Sequence, residues 1–344
     1  MRILAIETSC DETAAAIVED GKKIHANIIA SQIELHKKTG GVVPEVAARE
    51  HVVKIIPVIK NALKKAKMSW DDIDAIAAVK GPGLISALLT GTLTASTLAL
   101  IKEKPIIPVH HILAHIYANQ LENNENFTFP VIILTVSGGH NDLILMNKHC
   151  DFKLLGSTRD DAAGEAFDKV AKLLGLDYPG GPEIEKAAKK GDEYAFDFPK
   201  ARLSGNDYDY SFSGLKTAVL YETQKHFGKN YNPKKLNSKF VADVAASFQR
   251  TVVETLIDTA VKAVSDINPA EFHLAGGVSA NKQLRFYAKQ QLSDSKMKIR
   301  YPANIKYCTD NAAMVGSAAY FFKKNHPRKY NNWENIQPSA DFTF

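Results

Sequence analysis

The sequence predicts an α/β protein of two related lobes. Three observations carry this: a strand-turn-strand pattern that occurs twice, helical segments after each copy, and a length beyond one average domain. Near the amino end an apolar run, Ile3 to Ile6, meets a polar turn, Glu7 to Thr13, and then a second apolar run, Ala14 to Val18. That is the pattern of a β-hairpin. It returns as Val131 to Val136, the turn Ser137-Gly138-Gly139-His140, and Asp142 to Met146, with β-branched residues in the first run and glycines in the turn. A chain of 344 residues is long enough for two lobes that each bury a core. Two hairpins with helices behind them favour a duplicated α/β architecture over one doubly wound sheet.

Residues 45–65 carry apolar positions at helical spacing, and Ser86 to Leu100, behind the Gly81-Pro82-Gly83 turn, is a small-residue helix rich in Ala, Thr and Leu. Ile112 to Asn119 can continue as a helix, and the lobe boundary is expected near Pro105 to Ala118. Further on, Ala163, Ala166, Phe167, Val170 and Leu174 share one helical face and leave Glu165 and Asp168 on another. Tyr208, Tyr210 and Phe212 alternate as a strand would, Val241 to Val264 reads as one long helix, and Lys282 to Leu292 as another. A strand at Ile299 to Tyr301 leads to a final helix, about Asn311 to Phe322, expected to pack back on the first lobe. After Pro327 the residues are polar and aromatic without period, so a tail is expected. No Pro/Gly/Ser-rich linker interrupts the chain, which argues against flexibly tethered modules.

An apolar fraction of 45% and a charged fraction of 24% are those of an ordinary globular protein. No stretch approaches the ~20 apolar residues of a membrane span. The amino end reaches Glu7, Asp11 and Glu12 too soon for a signal or transit peptide, so a cytoplasmic protein without membrane partners is expected. Cys10, Cys150 and Cys308 form no regular framework, which suits free thiols in a reducing compartment. The net charge of +5, partly in pairs such as Lys37-Lys38 and Lys234-Lys235, is compatible both with solvated surface lysines and with a polyanionic partner.

The strongest chemical signal is His111 and His115, whose spacing of four sets both imidazoles on one helical face toward one metal ion. Structural hydrogen bonding by the same pair is the alternative. A zinc peptidase of the His-Glu-x-x-His type needs a glutamate after the first histidine, where Ile112 stands. Asp310 is a candidate third ligand or, equally in keeping with its place before a helix, an N-cap. Two histidines and one carboxylate leave open positions on Fe(2+) or Zn(2+); Cys308 is either a fourth ligand or inert packing. The turns Ser137-Gly138-Gly139, Gly180-Gly181-Pro182 and Gly276-Gly277 let backbone N–H groups approach a phosphate, and the last precedes a helix. One such turn is weak evidence; three in a two-lobed chain favour nucleotide binding. Asp11 and Glu12 either steer a metal, phosphate or proton or sit at a solvated hairpin tip. Asp168 and Glu185 suit ribose hydroxyls as acceptors.

Together, Ile6-Glu7-Thr8-Ser9-Cys10-Asp11-Glu12-Thr13, His111-Ile112-Leu113-Ala114-His115, Val136-Ser137-Gly138-Gly139-His140, Gly164-Glu165-Ala166-Phe167-Asp168-Lys169, Gly180-Gly181-Pro182, Gly276 to Asn281 and Thr309-Asp310-Asn311 resemble the motifs of the TsaD (Gcp) family, in family order from Met1 to about Phe322. The resemblance is to the bacterial branch, with Ala312 where Gly is common. It implies the actin/hsp70/sugar-kinase-like (ASKHA) fold, two related lobes with a nucleotide cleft between them. The implied lobes are residues 1–110 plus about 305–325, and residues 111–304 carrying the metal histidines and most of the nucleotide site, with 326–344 as a tail.

The same resemblance implies an acyltransferase that moves threonylcarbamoyl from threonylcarbamoyl-AMP to N6 of adenine 37, in tRNAs reading codons that begin with A. By motif, His111, His115 and Asp310 become ligands of one divalent metal per subunit, Fe(2+) or Zn(2+). Thr135, Val136, Ser137, Gly138, Gly139, Asp168, Gly181, Glu185 and Asn281 line the nucleotide and substrate pocket, although Asp is frequent at the position of Glu185. Asp11 or Glu12 is the expected proton acceptor. The implied partners are tRNA, a paralogous inactive subunit (TsaB-like) and a small ATPase (TsaE-like), with pairing through the amino-terminal lobe. The competing functions are a sugar kinase or ATPase of the same fold and, weakened by Ile112, a glycoprotein-cleaving metallopeptidase.

Overall fold

The computed structural model describes residues 1–201, 203–205, 207–293, 297–330 and 336–341. They divide into two compact units, one of Met1–Thr128, Asn147–Phe152 and the chain from Tyr301 onward, the other of Phe129–Met146 and Lys153–Arg300.

The first unit is built on β1 (Arg2–Glu7), β2 (Glu12–Glu19), β3 (Lys23–Ser31), β4 (Ala75–Gly81) and β5 (Ile106–His110), in the order β3-β2-β1-β4-β5. β1 runs antiparallel to β2, with Glu7 opposite Ala14, and parallel to β4. The expected hairpin is therefore present. Leu4, Ile6, Ile17 and Ile76 share a buried cluster with Ile55 and Ile59 of the helix Pro44–Ala66. On the other side the final helix, Ala312–Asn325, lies so close that a Cβ on Gly316 would stand 2.8 Å from Val18 Cγ2. β1 is covered on both faces, which explains its unbroken apolar run.

The second unit repeats this plan. Its strands are β6 (Val131–Val136), β7 (Asn141–Lys148), β8 (Asp151–Ser157), β9 (Glu271–Ala275) and β10 (Lys298–Arg300), in the order β10-β9-β6-β7-β8. β6 is antiparallel to β7 and parallel to β9, and β9 is parallel to β10. The strand order mirrors that of the first unit, so the duplication legible in the two hairpins extends to both sheets. The long helix spans Ser238–Ile267.

Three expectations need correction. The first unit continues past the expected boundary to Thr128, because His110 ends β5 and also serves as N-cap of the helix His111–Tyr117. That helix packs on the final helix, so both histidines and Asp310 belong to the first unit. The expected tail is docked where it is described: Lys323 Nζ donates to the carbonyls of Pro327 and Tyr330, Ile336 packs on the core, and Ser339 N–H donates to Lys80 O. Tyr208 to Phe212 forms no strand, only a bridge between Tyr210 and Thr158. Its alternation reflects the burial of Tyr210 and Phe212, whose rings stack 6.5 Å apart.

Candidate functional site

His111 and His115 lie one turn apart on a short buried helix, their rings edge to face with centroids 4.8 Å apart. The ambiguity at Asp310 is resolved by its neighbour. Asn311 caps the final helix by accepting the Met314 N–H, so the Asp310 carboxylate faces the imidazoles instead. Its Oδ1 stands 3.0 Å from His115 Nε2 and 3.5 Å from His111 Nε2. The ligand atoms of the three residues all lie within 4.8 Å of one another. Donors that share an ion at about 2.0–2.2 Å stand only a few ångströms apart, and two imidazoles with one carboxylate suit Fe(2+) or Zn(2+). The set fits a divalent cation. Cys308 is buried outside this group.

Behind His111 stands a residue that sequence reasoning did not single out. Glu7, fully buried at the end of β1, brings Oε2 to 3.1 Å from His111 Nδ1 and accepts the Ser9 N–H on Oε1 at 2.6 Å. Ser9 Oγ also lies 3.1 Å from Nδ1. A carboxylate on one imidazole nitrogen orients the other toward a metal. Burial lowers the pKa of His111, but Asp310 and Glu7 outweigh it and hold the value about 9. The available signal was a glutamate closing an apolar strand.

Asp11 and Glu12 lie beside this group on the first turn and are half-buried, so the solvated-tip reading does not hold. Burial raises the pKa of Asp11, and Asp310 adds to it. Burial, then Asp11, raises Glu12 to about 8, although Ser31 Oγ donates to Glu12 Oε1 at 2.8 Å. His51, in the middle of a helix, clamps the turn: Nε2 is 2.9 Å from Cys10 O and Nδ1 is 2.8 Å from Thr13 Oγ1.

In the second unit the glycine turns come together because they lack side chains. A Cβ on Gly164 would stand 2.5 Å from Ser137 O, one on Gly276 2.4 Å from Val136 O, and one on Gly180 2.6 Å from Asp168 Cα. The Ser137–His140 turn is thus held against the start of the helix Ala163–Leu173, with space around Gly138 and Gly139. Thr135 and Val136 have buried side chains, and Thr135 Oγ1 donates to Asp142 O. Asp168 Oδ1 accepts the Gly180 N–H at 2.7 Å. Asn281 caps the helix Lys282–Gln291 through the Leu284 N–H and donates from Nδ2 to Gln249 Oε1. Gln249 and Glu185 line one cavity of about 470 Å³, and Gly181 lies one helical turn before Glu185.

The family profile described as tRNA N6-adenosine threonylcarbamoyltransferase, TsaD, matches residues 23–317. The tRNA N6-adenosine threonylcarbamoyltransferase of Staphylococcus carnosus (strain TM300) is 49% identical over 320 residues, 93% of this chain and 90% of that protein. The one of Thermosipho africanus (strain TCF52B) is 50% identical over 325 residues, 94% and 95% of the two chains. Among solved structures, full-length HypF in its phosphate- and nucleotide-bound form matches with TM-score 0.60 at 16% identity, over 98% of this chain and 47% of that one. HypF of T. kodakarensis gives 0.62 at 14%, over 94% and 48%. Component A of the Acidaminococcus fermentans (R)-2-hydroxyglutaryl-CoA dehydratase gives 0.52 at 16%, over 93% and 98%. At such identities these likenesses show the fold alone. The paired five-stranded sheets are those of the actin/hsp70/sugar-kinase-like class.

Proposed function

The chain belongs to the TsaD family of tRNA N6-adenosine threonylcarbamoyltransferases, and from that premise we propose that it moves threonylcarbamoyl from threonylcarbamoyl-AMP to N6 of adenine 37, in tRNAs reading codons that begin with A. The observation that carries this reading is the convergence of His111, His115 and Asp310 on a chain about half identical to named transferases. The sugar-kinase alternative is not favoured by those relatives, and Ile112 stands where a peptidase needs its general base.

His111, His115 and Asp310 would hold one divalent cation, Fe(2+) or Zn(2+). When bound, it supplies Lewis-acid polarisation and orientation of the threonylcarbamoyl group. The Ser137 N–H is taken by the His140 carbonyl at 2.8 Å, so the backbone N–H groups of Gly138 and Gly139 bind the adenylate phosphate, Asp168 and Glu185 accept from ribose hydroxyls, and Asn281 with Gly181 borders the adenosine. The adenine amine attacks the carbamoyl carbon, a C–N bond forms, and the C–O bond to phosphate breaks so that AMP leaves with the electron pair. The amine proton passes to Asp11 or Glu12. Glu12, raised to about 8 by burial and Asp11, has the proton affinity of a base matched to neutral pH. A TsaB-like subunit and a TsaE-like ATPase are its expected partners, and the cytoplasm, where tRNA is found, its place of action. No described helix is long and apolar enough to cross a membrane.

The test is a reaction of the purified protein and its partners with threonylcarbamoyl-AMP and unmodified tRNA, followed by mass spectrometry of nucleosides. Threonylcarbamoyladenosine is the expected product. No product, together with metal-independent phosphorylation of a sugar, returns the kinase reading. An unchanged single-turnover rate in Asp11→Ala or Glu12→Ala removes that residue as proton acceptor.

A further inference from the structure

The helix that carries His111 and His115 has a second face. At 100° per residue, Leu113 and Tyr117 stand roughly opposite the two histidines, and both are buried. Leu113 is part of the wall of a cavity of about 380 Å³. Tyr117 packs edge-on against Phe152 and Phe322, with ring centroids 6.4 and 5.9 Å away, and both phenylalanines line that cavity. Pro108 and His110 of β5 and Cys150 also line it, and its mouth is completed by two lysines, Lys80 from β4 and Lys329, with His326 at the end of the final helix and Tyr330. Among the described residues none of those lining it is acidic. Lys329 Nζ lies 5.7 Å from the centre of the Tyr330 ring. Lys323 Nζ holds the carbonyls of Pro327 and Tyr330 at 2.9 and 3.1 Å, which ties this turn to the final helix.

We propose that this cavity takes one unstacked nucleotide of the tRNA substrate, its base against Phe152, Phe322 and Tyr330 and its phosphate at Lys80 and Lys329. The proposal rests on the tRNA-modifying function argued above. Aromatic faces combined with a positive rim are how single-stranded nucleic acid is held without sequence readout. The volume lies at the small end of ligand cavities, about 300–1,000 Å³, which suits a single nucleotide and excludes a duplex. Charge selects the occupant, since a wall free of carboxylates favours a polyanion. Because Leu113 and the histidines face opposite ways, the occupant is a neighbour of the reacting adenine and not the adenine itself. Pocket and metal group share one helix, so an occupied pocket also fixes the helix that carries the ligands.

The experiment compares Tyr330→Ala, Lys329→Glu and the double variant with the unchanged full chain, each with its partners. Lys324, which stands over Tyr320 and not in the cavity, supplies the control Lys324→Ala. Direct tRNA binding is followed by fluorescence anisotropy, turnover by product formation, and metal by elemental analysis. The expected result is a rise of about tenfold in Kd and KM for tRNA in each pocket variant. KM for threonylcarbamoyl-AMP and metal content should stay as in the parent, and the control should bind like it. Unchanged tRNA affinity in the double variant overturns the proposal, as does an equal loss in Lys324→Ala, which would mean diffuse attraction. Free AMP binding that the pocket variants abolish while tRNA binding persists assigns the cavity to a free nucleotide and also overturns it. Anisotropy needs no turnover, so an inactive parent chain counts against the proposed function while the pocket is still decided.

Discussion

Glu7 sets its Oε2 3.1 Å from Nδ1 of His111, 104 residues later in the chain, and does so fully buried. A carboxylate so placed fixes the imidazole so that Nε2 faces Asp310. Glu7→Gln keeps the shape and removes the charge. Metal affinity should fall about 10- to 100-fold with the fold intact, as a competition titration against a chelator will read. Parent-like affinity would reduce Glu7 to a packing residue.

His111→Ala, His115→Ala and Asp310→Ala should each lower bound metal and product together, because three protein ligands leave little redundancy. Elemental analysis beside circular dichroism checks this. A variant that keeps full metal occupancy is excluded from the ligand set.

The metal-free protein should lose stability between pH 7 and 9. Burial disfavours the charge on His111, but Asp310 and Glu7 raise it from 6.5 to about 9, while burial and Asp11 raise Glu12 from 4.5 to about 8. Both folded values exceed the ordinary ones. Each contribution is therefore complete below the ordinary value and is lost as pH rises through the folded one. A metal must displace the His111 proton, so apparent metal affinity should rise about tenfold per pH unit up to about pH 9 and then level off. Calorimetric Tm with and without metal tests the first part, and a Tm of the metal-free protein that is flat from pH 7 to 9 would refute it.

Asp168→Ala and Asn281→Ala should weaken binding of a non-hydrolysable adenylate analogue more than they lower metal content. Both side chains also hold helix starts, so each variant should lose about 1 kcal/mol of stability. Equal losses of metal and nucleotide, measured on the same preparations, would show that the two groups do not act separately.

Arg300 meets Glu271 with Nε at 2.7 Å and Nη2 at 2.8 Å, and His273 Nε2 lies 2.8 Å from the same carboxylate, all buried between β9 and β10. Burial raises the Glu271 pKa, but the bonds to His273 and Arg300 prevail and hold it about 2. Arg300→Leu strands this charge and should cost about 3–5 kcal/mol in urea denaturation. The double change with Glu271→Leu should recover much of that. A double variant no more stable than Arg300→Leu would contradict this account.

The sequence by itself determined what local period can encode. Apolar runs broken by Glu7 to Thr13 and by Ser137 to His140 specified both hairpins, helical spacing gave the helices around residues 45–65 and 241–264, and a spacing of four set His111 beside His115. The motifs in order were enough to point to the family and its chemistry. Tertiary structure alone decided the rest. Asp310 read equally as ligand or as cap, and only the packing of the final helix shows that its neighbour Asn311 caps while Asp310 turns to the histidines. Glu7, His51 and the Lys80–Tyr330 pocket join residues far apart in the chain. The docked tail and the non-strand at Tyr208 to Phe212 have the same origin. Periodicity reports which way a residue faces on its own element, whereas a partner on another element is fixed only when both elements are packed.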